Sequence, residues 1–239
     1  MARVGIIADT HFPFTHPMYL RFVQDVFNTW RVNRIVHIGD VVEAHALSFH
    51  EHDPNGLSAE SEADAASKEI DHWRSVFPSL KVCIGNHDER QFRAARAAGI
   101  PDRYIKSYAT LFGTPKWKWD FSHVIDGVLY EHGTGTSGKD AAYNRAVQKR
   151  TSLVMGHVHA YGGVKWNCNE FDAIFGMNVG CGLDCKSYAA NYGRAFAIRP
   201  VLGCGVVLDG NRAVFERMAC GSGEKYHRKR AGRRCKRAT

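Results

Sequence analysis

Side chains of the types that bind metal ions follow five short apolar runs of this sequence. The set contains two aspartates, one asparagine and four histidines: Asp9, His11, Asp40, Asn86, His132, His157 and His159. Imidazole and carboxylate without thiolate favour Mn, Fe, Zn, Co or Ni and disfavour Cu(I) and iron-sulfur clusters. Seven ligands suffice for two metal ions. Two divalent ions beside two carboxylates leave a positive pocket, which attracts an anion, and paired metal ions suit attack on phosphorus.

These side chains must meet at one place, and the sequence predicts a sheet that brings them together. The apolar runs occupy residues 4–8, 35–38, 80–84, 128–130 and 153–155. Continuous runs of this length are typical of strands buried on both faces. Ligands bind at the carboxyl ends of strands in open α/β sheets, so we expect one shared crevice. Because alternate residues of an extended strand share a face, Asp9 is predicted to pair with His11 and His157 with His159.

Helical spacing of apolar residues predicts helices between these strands, over residues 19–30, 59–77, 90–98 and 140–149. The first part of the chain therefore reads β-α-β-α-β, which is typical of a layered α/β domain. Further strands are predicted at residues 174–179, 196–198, 205–208 and 213–216, with a hairpin turn at Asp209 and Gly210. We predict one domain over residues 1–218 and a basic tail over residues 219–239.

The ordered set of motifs resembles the signature of the calcineurin-like metallophosphoesterases. These motifs are Asp9-x-His11, Gly39-Asp40, Gly85-Asn86-His87-Asp88, His132 and Gly156-His157-x-His159. Each motif alone is weak, but the ordered set is specific. The resemblance covers roughly residues 4–218. It implies a four-layer α/β/β/α sandwich with a dinuclear metal centre that hydrolyses phosphate esters through metal-bound hydroxide.

The resemblance also implies a role for each residue. One metal ion would be held by Asp9, His11 and His159. The other would be held by Asn86, His132 and His157, and Asp40 would bridge the two ions. His87 would assist departure of the leaving oxygen and Asp88 would orient His87. Mn is the expected metal, with Fe, Zn, Co, Ni or Mg as alternatives.

The second motif departs from that of the phosphoprotein phosphatases in this superfamily. They read GDxxDRG, whereas this chain has Glu43 at the second acidic position and no arginine after it. Asp88 likewise stands where those enzymes have glutamate. The departure disfavours a Ser/Thr protein phosphatase and favours phosphodiesterases or nucleases, some of which phages encode. A phosphomonoesterase acting on small molecules or phosphoproteins remains an alternative, as does a non-catalytic binding scaffold.

Charge is unevenly distributed along the 239 residues, whose formal net charge is +8. The last 21 residues hold eight basic residues and one acid, so the preceding 218 residues are close to neutral. This density predicts contact with nucleic-acid phosphates, the alternative being a solvated tail without a partner. The candidate nucleic-acid-binding residues are Arg228, Lys229, Arg230, Arg233, Arg234, Lys236 and Arg237.

Three other segments have both a functional and a structural interpretation. Residues 133–140 nearly match a P-loop, but Asp140 replaces its Ser/Thr; we interpret them as a helix-start loop whose Lys139 contacts substrate phosphate. His45 lies either at the rim of the pocket, in contact with substrate, or in a solvated loop. Trp117, Trp119 and Phe121 alternate with charges, which favours a half-buried strand with its aromatic rings pointing inward over a base-stacking platform.

Cysteine usage and hydropathy restrict the compartment. The seven cysteines form no CxxC pair, which argues against a disulfide framework and a structural zinc site. No apolar run approaches the ~18 residues that span a bilayer, and the N-terminus does not read as a signal peptide. We therefore predict a cytoplasmic protein without a membrane partner, in the host cytoplasm if a phage encodes it. The oligomeric state stays open.

Overall fold

The computed structural model describes residues 1–49, 53, 56–184, 186–187 and 199–219. The strand predicted at residues 196–198 lies outside the described residues. So does the basic tail beyond Ala219, with all seven of its candidate nucleic-acid-binding residues.

Within the described residues, the first sheet has six strands in the order β11-β10-β1-β2-β3-β4. Their bounds are β1 Arg3–Ile7, β2 Arg34–His37, β3 Lys81–Cys83, β4 Lys118–Asp120, β10 Gly203–Leu208 and β11 Arg212–Arg217. Strands β1 to β4 are parallel to one another. Strand β10 lies antiparallel to both β1 and β11. The carboxyl ends of the first three strands therefore meet at one edge, as predicted.

The second sheet, over the same part of the chain, has the order β5-β6-β7-β9-β8. Its strands are β5 Ser122–Ile125, β6 Val128–Glu131, β7 Leu153–Met155, β8 Gly162–Cys168 and β9 Ala173–Val179. The central strands β6, β7 and β9 are parallel, and the outer strands β5 and β8 pair antiparallel to them. The ends of β6 and β7 thus add a second set of loops to the site.

Five α-helices and two 3-10 helices are assigned in the described part of the chain. The α-helices are α1 Tyr19–Trp30, α2 Ala59–Val76, α3 Arg90–Ala97, α4 Tyr108–Leu111 and α5 Ala141–Lys149. The 3-10 helices are His45–Leu47 and Asp102–Tyr104. No helix among these residues is both long and apolar enough to cross a membrane.

Alternation along β1 shows how the layers pack. Gly5 faces α1, where a Cβ atom would lie 2.6 Å from the Phe27 ring. Ile6 points to the opposite side and shares one buried core with Met177 and Val179 of β9. Helix α5 rests on the far face of the second sheet, against Gly176. The order of layers is helix, sheet, sheet and helix, which confirms the predicted α/β/β/α sandwich.

The aromatic segment before β5 behaves as a strand only in part. Trp117 is buried and donates its indole N–H to the carbonyl of Phe77, 3.0 Å away. Trp119 is half-buried and stacks on Tyr108 at 5.5 Å between ring centroids. Phe121, predicted to point inward, is exposed because the chain leaves the first sheet at this residue to enter the second. Two of the three rings are therefore engaged in packing, so the three do not form one exposed surface for base stacking.

Tyr19 connects the end of β1 to the beginning of β10. Its buried hydroxyl accepts a hydrogen bond from the Ala8 amide at 3.0 Å and donates one to the Gly203 carbonyl at 2.7 Å. Tyr19→Phe leaves both buried groups without a partner. We expect the free energy of unfolding to fall by about 1–3 kcal/mol in urea denaturation. Exposed Tyr104→Phe is the control, and equal stability of the two variants would contradict this bridging role.

Candidate metal centre

The loops that follow five strands converge at one edge of the two sheets. Asp9 and His11 follow β1, Asp40 follows β2, Asn86 follows β3, His132 follows β6, and His157 and His159 follow β7. The sequence thus predicts correctly which side chains come together.

The backbone that aims these side chains differs from the prediction. His11, Asp40 and His157 have positive φ angles of 51°, 48° and 64°. The predicted extended pairs, Asp9 with His11 and His157 with His159, are therefore wrong in conformation, because a left-handed residue interrupts the alternation of a strand. The chain instead turns sharply at the strand end. Non-glycine residues in this region are strained, and such strain is concentrated at functional sites.

A first group of possible ligands consists of Asp9, His11, Asp40 and His159, whose ligand atoms all lie within 4.8 Å of one another. His159 Nε2 is 3.0 Å from Asp9 Oδ2 and 3.2 Å from His11 Nε2. His11 Nε2 is 3.9 Å from Asp40 Oδ2. Two carboxylates and two imidazoles therefore face one point.

A second group consists of Asp40, His132 and His157. His132 Nε2 lies 3.2 Å from Asp40 Oδ2 and 3.2 Å from His157 Nδ1. Asn86 joins this group, since its Oδ1 is 3.1 Å from His132 Nε2. Asp40 belongs to both groups, which is the geometry of a shared carboxylate between two sites.

The donor set fits divalent cations. Pairs of imidazole nitrogens approach to 3.2 Å, an arrangement in which lone pairs converge unless a proton or a cation lies between them. Asp9 Oδ1 is buried and, among the described residues, has no hydrogen-bond partner. A buried carboxylate oxygen without a partner is costly, and a metal ion would satisfy it. This set of carboxylate, imidazole and amide ligands therefore suits divalent metal ions, and more than one metal fits it.

Burial and neighbouring charges set the protonation of these groups. Burial alone raises the pKa of Asp40, but His132 and His87 outweigh it and hold the pKa well below its usual range. Burial lowers the pKa of His132, yet Asp40 and Asp9 raise it to about 9. Burial together with the His132 charge lowers the pKa of His157 to about 4. Without metal, the second group therefore holds one charged and one neutral imidazole beside an ionised carboxylate.

Glu43 is a buried residue of the site that sequence reasoning noticed only as a departure from another motif. Its Oε2 lies 2.6 Å from His11 Nδ1, an arrangement that turns His11 Nε2 toward the ligand groups. The same oxygen is 3.3 Å from His87 Nδ1, which also lies 2.9 Å from the Glu43 carbonyl oxygen. Although burial raises the pKa of Glu43, His87 and His11 hold it below its usual range. One ionised carboxylate therefore orients two histidines.

Asp88 does not make the contact predicted for it. Its carboxylate is fully buried and accepts hydrogen bonds from the amides of Val41 at 2.9 Å and Gly85 at 2.9 Å. Burial, then Asp40, raises the pKa of Asp88 to about 7. The side chain points into the loops after β2 and β3 and ties them together. The orienting contact to His87 is made by Glu43 instead.

An arginine also reaches the site from a position that the motif comparison did not include. Arg90, the first residue of α3, donates to the Glu43 carbonyl at 2.7 Å and lies 3.3 Å from Glu43 Oε1. Its Nη2 is 3.3 Å from His87 Nε2. The signal in sequence is its place two residues after the third motif, where the predicted helix begins. Arg90 thus places a positive charge beside Glu43 and His87.

The two predicted substrate-contacting residues lie in different surroundings. His45 is half-buried beside the site, with Nδ1 4.0 Å from Glu43 Oε1. Lys139 is exposed in the loop before α5, and no contact between described residues joins it to the ligand groups. The neighbouring Asp140 is ion-paired with Lys165 rather than turned to a ligand. Only His45 is brought to the site.

Gly85 permits the close approach of Asp40. A Cβ atom at Gly85 would lie 2.1 Å from Asp40 Oδ1 and 2.3 Å from the Asp40 amide nitrogen. Gly85→Ala must therefore displace the shared carboxylate. We expect metal affinity to fall by about 10- to 100-fold in a calorimetric titration, the size typical of a disturbed ligand orientation. Gly127→Ala, in open space at a hairpin turn, is the control; unchanged affinity in Gly85→Ala would contradict the assignment.

The chain is similar in sequence to known proteins. A family model described as calcineurin-like phosphoesterase matches residues 2–183. The gene 54 protein of Mycobacterium phage L5 is 24% identical over an aligned length of 233, and the match covers 84% of this chain and 89% of that protein.

Two solved structures are similar over most of their length. A metallophosphoesterase from Sphaerobacter thermophilus aligns with a TM-score of 0.47 and 14% identity, over 91% of this chain and 88% of that one. The nuclease MPE of Pseudomonas putida aligns with a TM-score of 0.44 and 12% identity, over 90% and 87%. The family model spans well over half of the sequence. The chain therefore belongs to the calcineurin-like phosphoesterase family.

Proposed function

We propose that this metal-dependent phosphoesterase hydrolyses phosphodiesters in nucleic acid or nucleotides with a pair of divalent metal ions. The observation that supports a pair most directly is Asp40, which belongs to both ligand groups. In this proposal Asp9, His11 and His159 hold one ion, and Asn86, His132 and His157 hold the other. Mn is the proposed metal.

Each side chain has a distinct task in the reaction. When bound, the metal ions polarise the phosphate ester and activate a water molecule. The His87 amide donates to Asp40 Oδ1 at 2.8 Å, which fixes His87 against the ligand groups. His87 Nε2 lies 3.9 Å from Asp40 Oδ2 and is placed to give a proton to the leaving oxygen. Glu43 contacts the other ring nitrogen, His87 Nδ1, and Arg90 supplies positive charge beside His87 Nε2.

The preference for diesters rests on the second motif and on the tail. The motif lacks the phosphatase arginine, and residues 219–239 are strongly basic. We extend the proposal to nucleic-acid contact by that tail, outside a catalytic domain of residues 1–218, and to action in the cytoplasm. Similarity to a phage protein supports the host cytoplasm.

A phosphomonoesterase is the second candidate, and Arg90 is the observation that favours it. A monoester presents two negative charges, and an arginine 3.3 Å from His87 could bind the additional one. The two candidates differ in which ester is turned over faster.

A substrate comparison tests both candidates. The Mn-loaded protein is given bis(p-nitrophenyl) phosphate, p-nitrophenyl phosphate, single-stranded and duplex DNA, and RNA. We expect kcat/KM for the small diester to exceed that for the monoester by about tenfold or more, a difference of about 1.4 kcal/mol in transition-state stabilisation. The reverse order supports the phosphomonoesterase. No turnover of any ester, with two metal ions bound, contradicts both.

A further inference from the structure

Helix α3 presents a line of arginines that begins at the metal centre. Its sequence RQFRAARA places Arg90, Arg93 and Arg96 three residues apart and contains no acid. Residues at this spacing lie on one face of a helix. From residue 90 to residue 106 the chain has five basic residues and one acid, although the body of the protein is nearly neutral. Positive charge is therefore concentrated in the segment of residues 90–106, which begins with this helix.

The first and last of these arginines already have partners. Arg90 is held by Glu43 and lies beside His87. Arg96 forms an ion pair with Asp102 at 2.7 Å. Arg93, between them, is exposed and has no carboxylate partner among the described residues. Its charge is thus available to a ligand one helical turn away from the reaction centre.

Arg93 lies over an exposed aromatic ring. The guanidinium carbon is 5.2 Å from the centroid of Phe49, and 62% of Phe49 is exposed. Phe49 follows the 3-10 helix His45–Leu47, which leads on from Glu43 and packs against α3. A flat apolar ring and a cation that has no carboxylate partner among the described residues therefore lie together beside the 3-10 helix that leads on from Glu43.

This combination matches the chemistry of single-stranded nucleic acid. Proteins bind single strands by pairing backbone phosphates with basic side chains and by stacking bases on aromatic rings. A duplex hides the faces of its bases, and an acidic peptide offers no base to stack. Charge alone would attract any polyanion, whereas the ring selects one with exposed bases.

We infer that Phe49 and Arg93 form a subsite for the nucleotide next to the scissile phosphate of a single-stranded nucleic acid. Arg93 contacts the neighbouring phosphate, and Phe49 stacks on the base. This inference rests on the proposed phosphodiesterase function, since it places an adjoining nucleotide beside the reaction centre.

Binding of a labelled single-stranded phosphorothioate oligothymidylate to the full-length, Mn-loaded protein tests this subsite. Arg93→Gln and Phe49→Ala are each expected to weaken binding by about 5- to 30-fold, which corresponds to about 1–2 kcal/mol. Arg93→Gln also lowers the slope of log affinity against log salt by about 0.7, whereas Phe49→Ala leaves it unchanged. Phe49→Trp restores binding because it restores the ring.

Arg212→Gln is the matched control, because Arg212 is an exposed arginine whose guanidinium carbon also lies over an aromatic ring, 5.6 Å from the centroid of Trp30. It should alter neither affinity nor salt slope. In both subsite variants, kcat/KM for an oligonucleotide is expected to fall relative to kcat/KM for the small diester, in step with the loss of affinity. Unchanged affinity in both variants overturns the inference. If only Arg93→Gln loses affinity, or if both variants lose as much affinity for duplex as for single strands, the inference is also overturned. Either result would indicate a surface that binds anions in general.

The binding measurement separates this inference from the proposed function. If the protein turns over no diester, the proposed phosphodiesterase fails while oligonucleotide affinity still reports on Phe49 and Arg93. If diesters are cleaved but the two variants bind like the unmodified protein, the function stands and the subsite fails. Thermal unfolding of each variant checks that the fold is retained.

Discussion

Asp40→Asn is expected to lower kcat/KM for a phosphodiester by about a thousandfold or more and to reduce the number of bound metal ions. The Asp40 carboxylate is common to both ligand groups, with Oδ2 3.2 Å from His132 Nε2 and 3.9 Å from His11 Nε2. Its Oδ1 accepts the His87 amide. An amide has the same shape but lacks the charge that two cations require, and metal ions contribute several kcal/mol to such reactions.

Asp126→Asn is the matched control for this substitution. Asp126 has a φ angle of 49°, close to the 48° of Asp40, but it lies exposed at a hairpin turn. The control therefore makes the same chemical change in the same backbone conformation. Elemental analysis gives metal content, and initial rates give kcat/KM. Two metal ions and full activity in Asp40→Asn would show that this carboxylate is not shared between metal sites.

His87→Gln is expected to lower kcat by about 10²- to 10⁴-fold while both metal ions stay bound. His87 Nε2 faces the ligand groups, and its Nδ1 is held by Glu43. If this side chain protonates the leaving oxygen, the loss must depend on that oxygen. Nucleic acid, whose leaving group is a basic alkoxide, should lose more activity than bis(p-nitrophenyl) phosphate, whose leaving group is stable as an anion.

His72→Gln, on the exposed face of α2, provides the control for His87→Gln. The alternative is that His87 is itself a metal ligand, because His11, Glu43 and His87 form a third group of possible ligands. If His87→Gln loses metal and loses activity equally on both substrates, His87 acts as a ligand and not as a proton donor.

The sequence predicts the candidate ligands because each follows a recognisable apolar run. Buried parallel strands are continuous hydrophobic segments, and the polar residue that ends each one must lie at the edge of the sheet. Local pattern therefore determines which side chains converge, and the structure places all seven together. That they bind metal stays a prediction.

Glu43 and Arg90 could not be assigned in this way, because their contacts depend on tertiary packing. Neither ends a strand, and 47 residues separate them. They meet only when α3 docks against the loop after β2. The direction of the Asp88 side chain is subject to the same limit, since its contact with the Val41 amide forms only when the loops after β2 and β3 meet.

The backbone of the ligand loops was equally hidden from sequence reasoning. Aspartate and histidine tolerate left-handed conformations more than most residues, but they do not require them. His11 and His157 adopt positive φ because the surrounding hydrogen bonds hold them there, as in the His157 amide bond to Asp9 Oδ2 at 2.8 Å. Such long-range restraint leaves no mark on local periodicity.

The position of β10 beside β1 has a consequence for how the protein is made. Ile7 pairs with Cys204, and the Tyr19 hydroxyl joins Ala8 to Gly203, so the strand that sets Asp9 in place rests on residues from the far end of the chain. A ribosome-bound chain that has reached His159 already contains every candidate ligand but not this strand. Assembly of the centre therefore waits for synthesis of residues 203–208, and a chain stalled before them would hold ligands without the pairing that positions them.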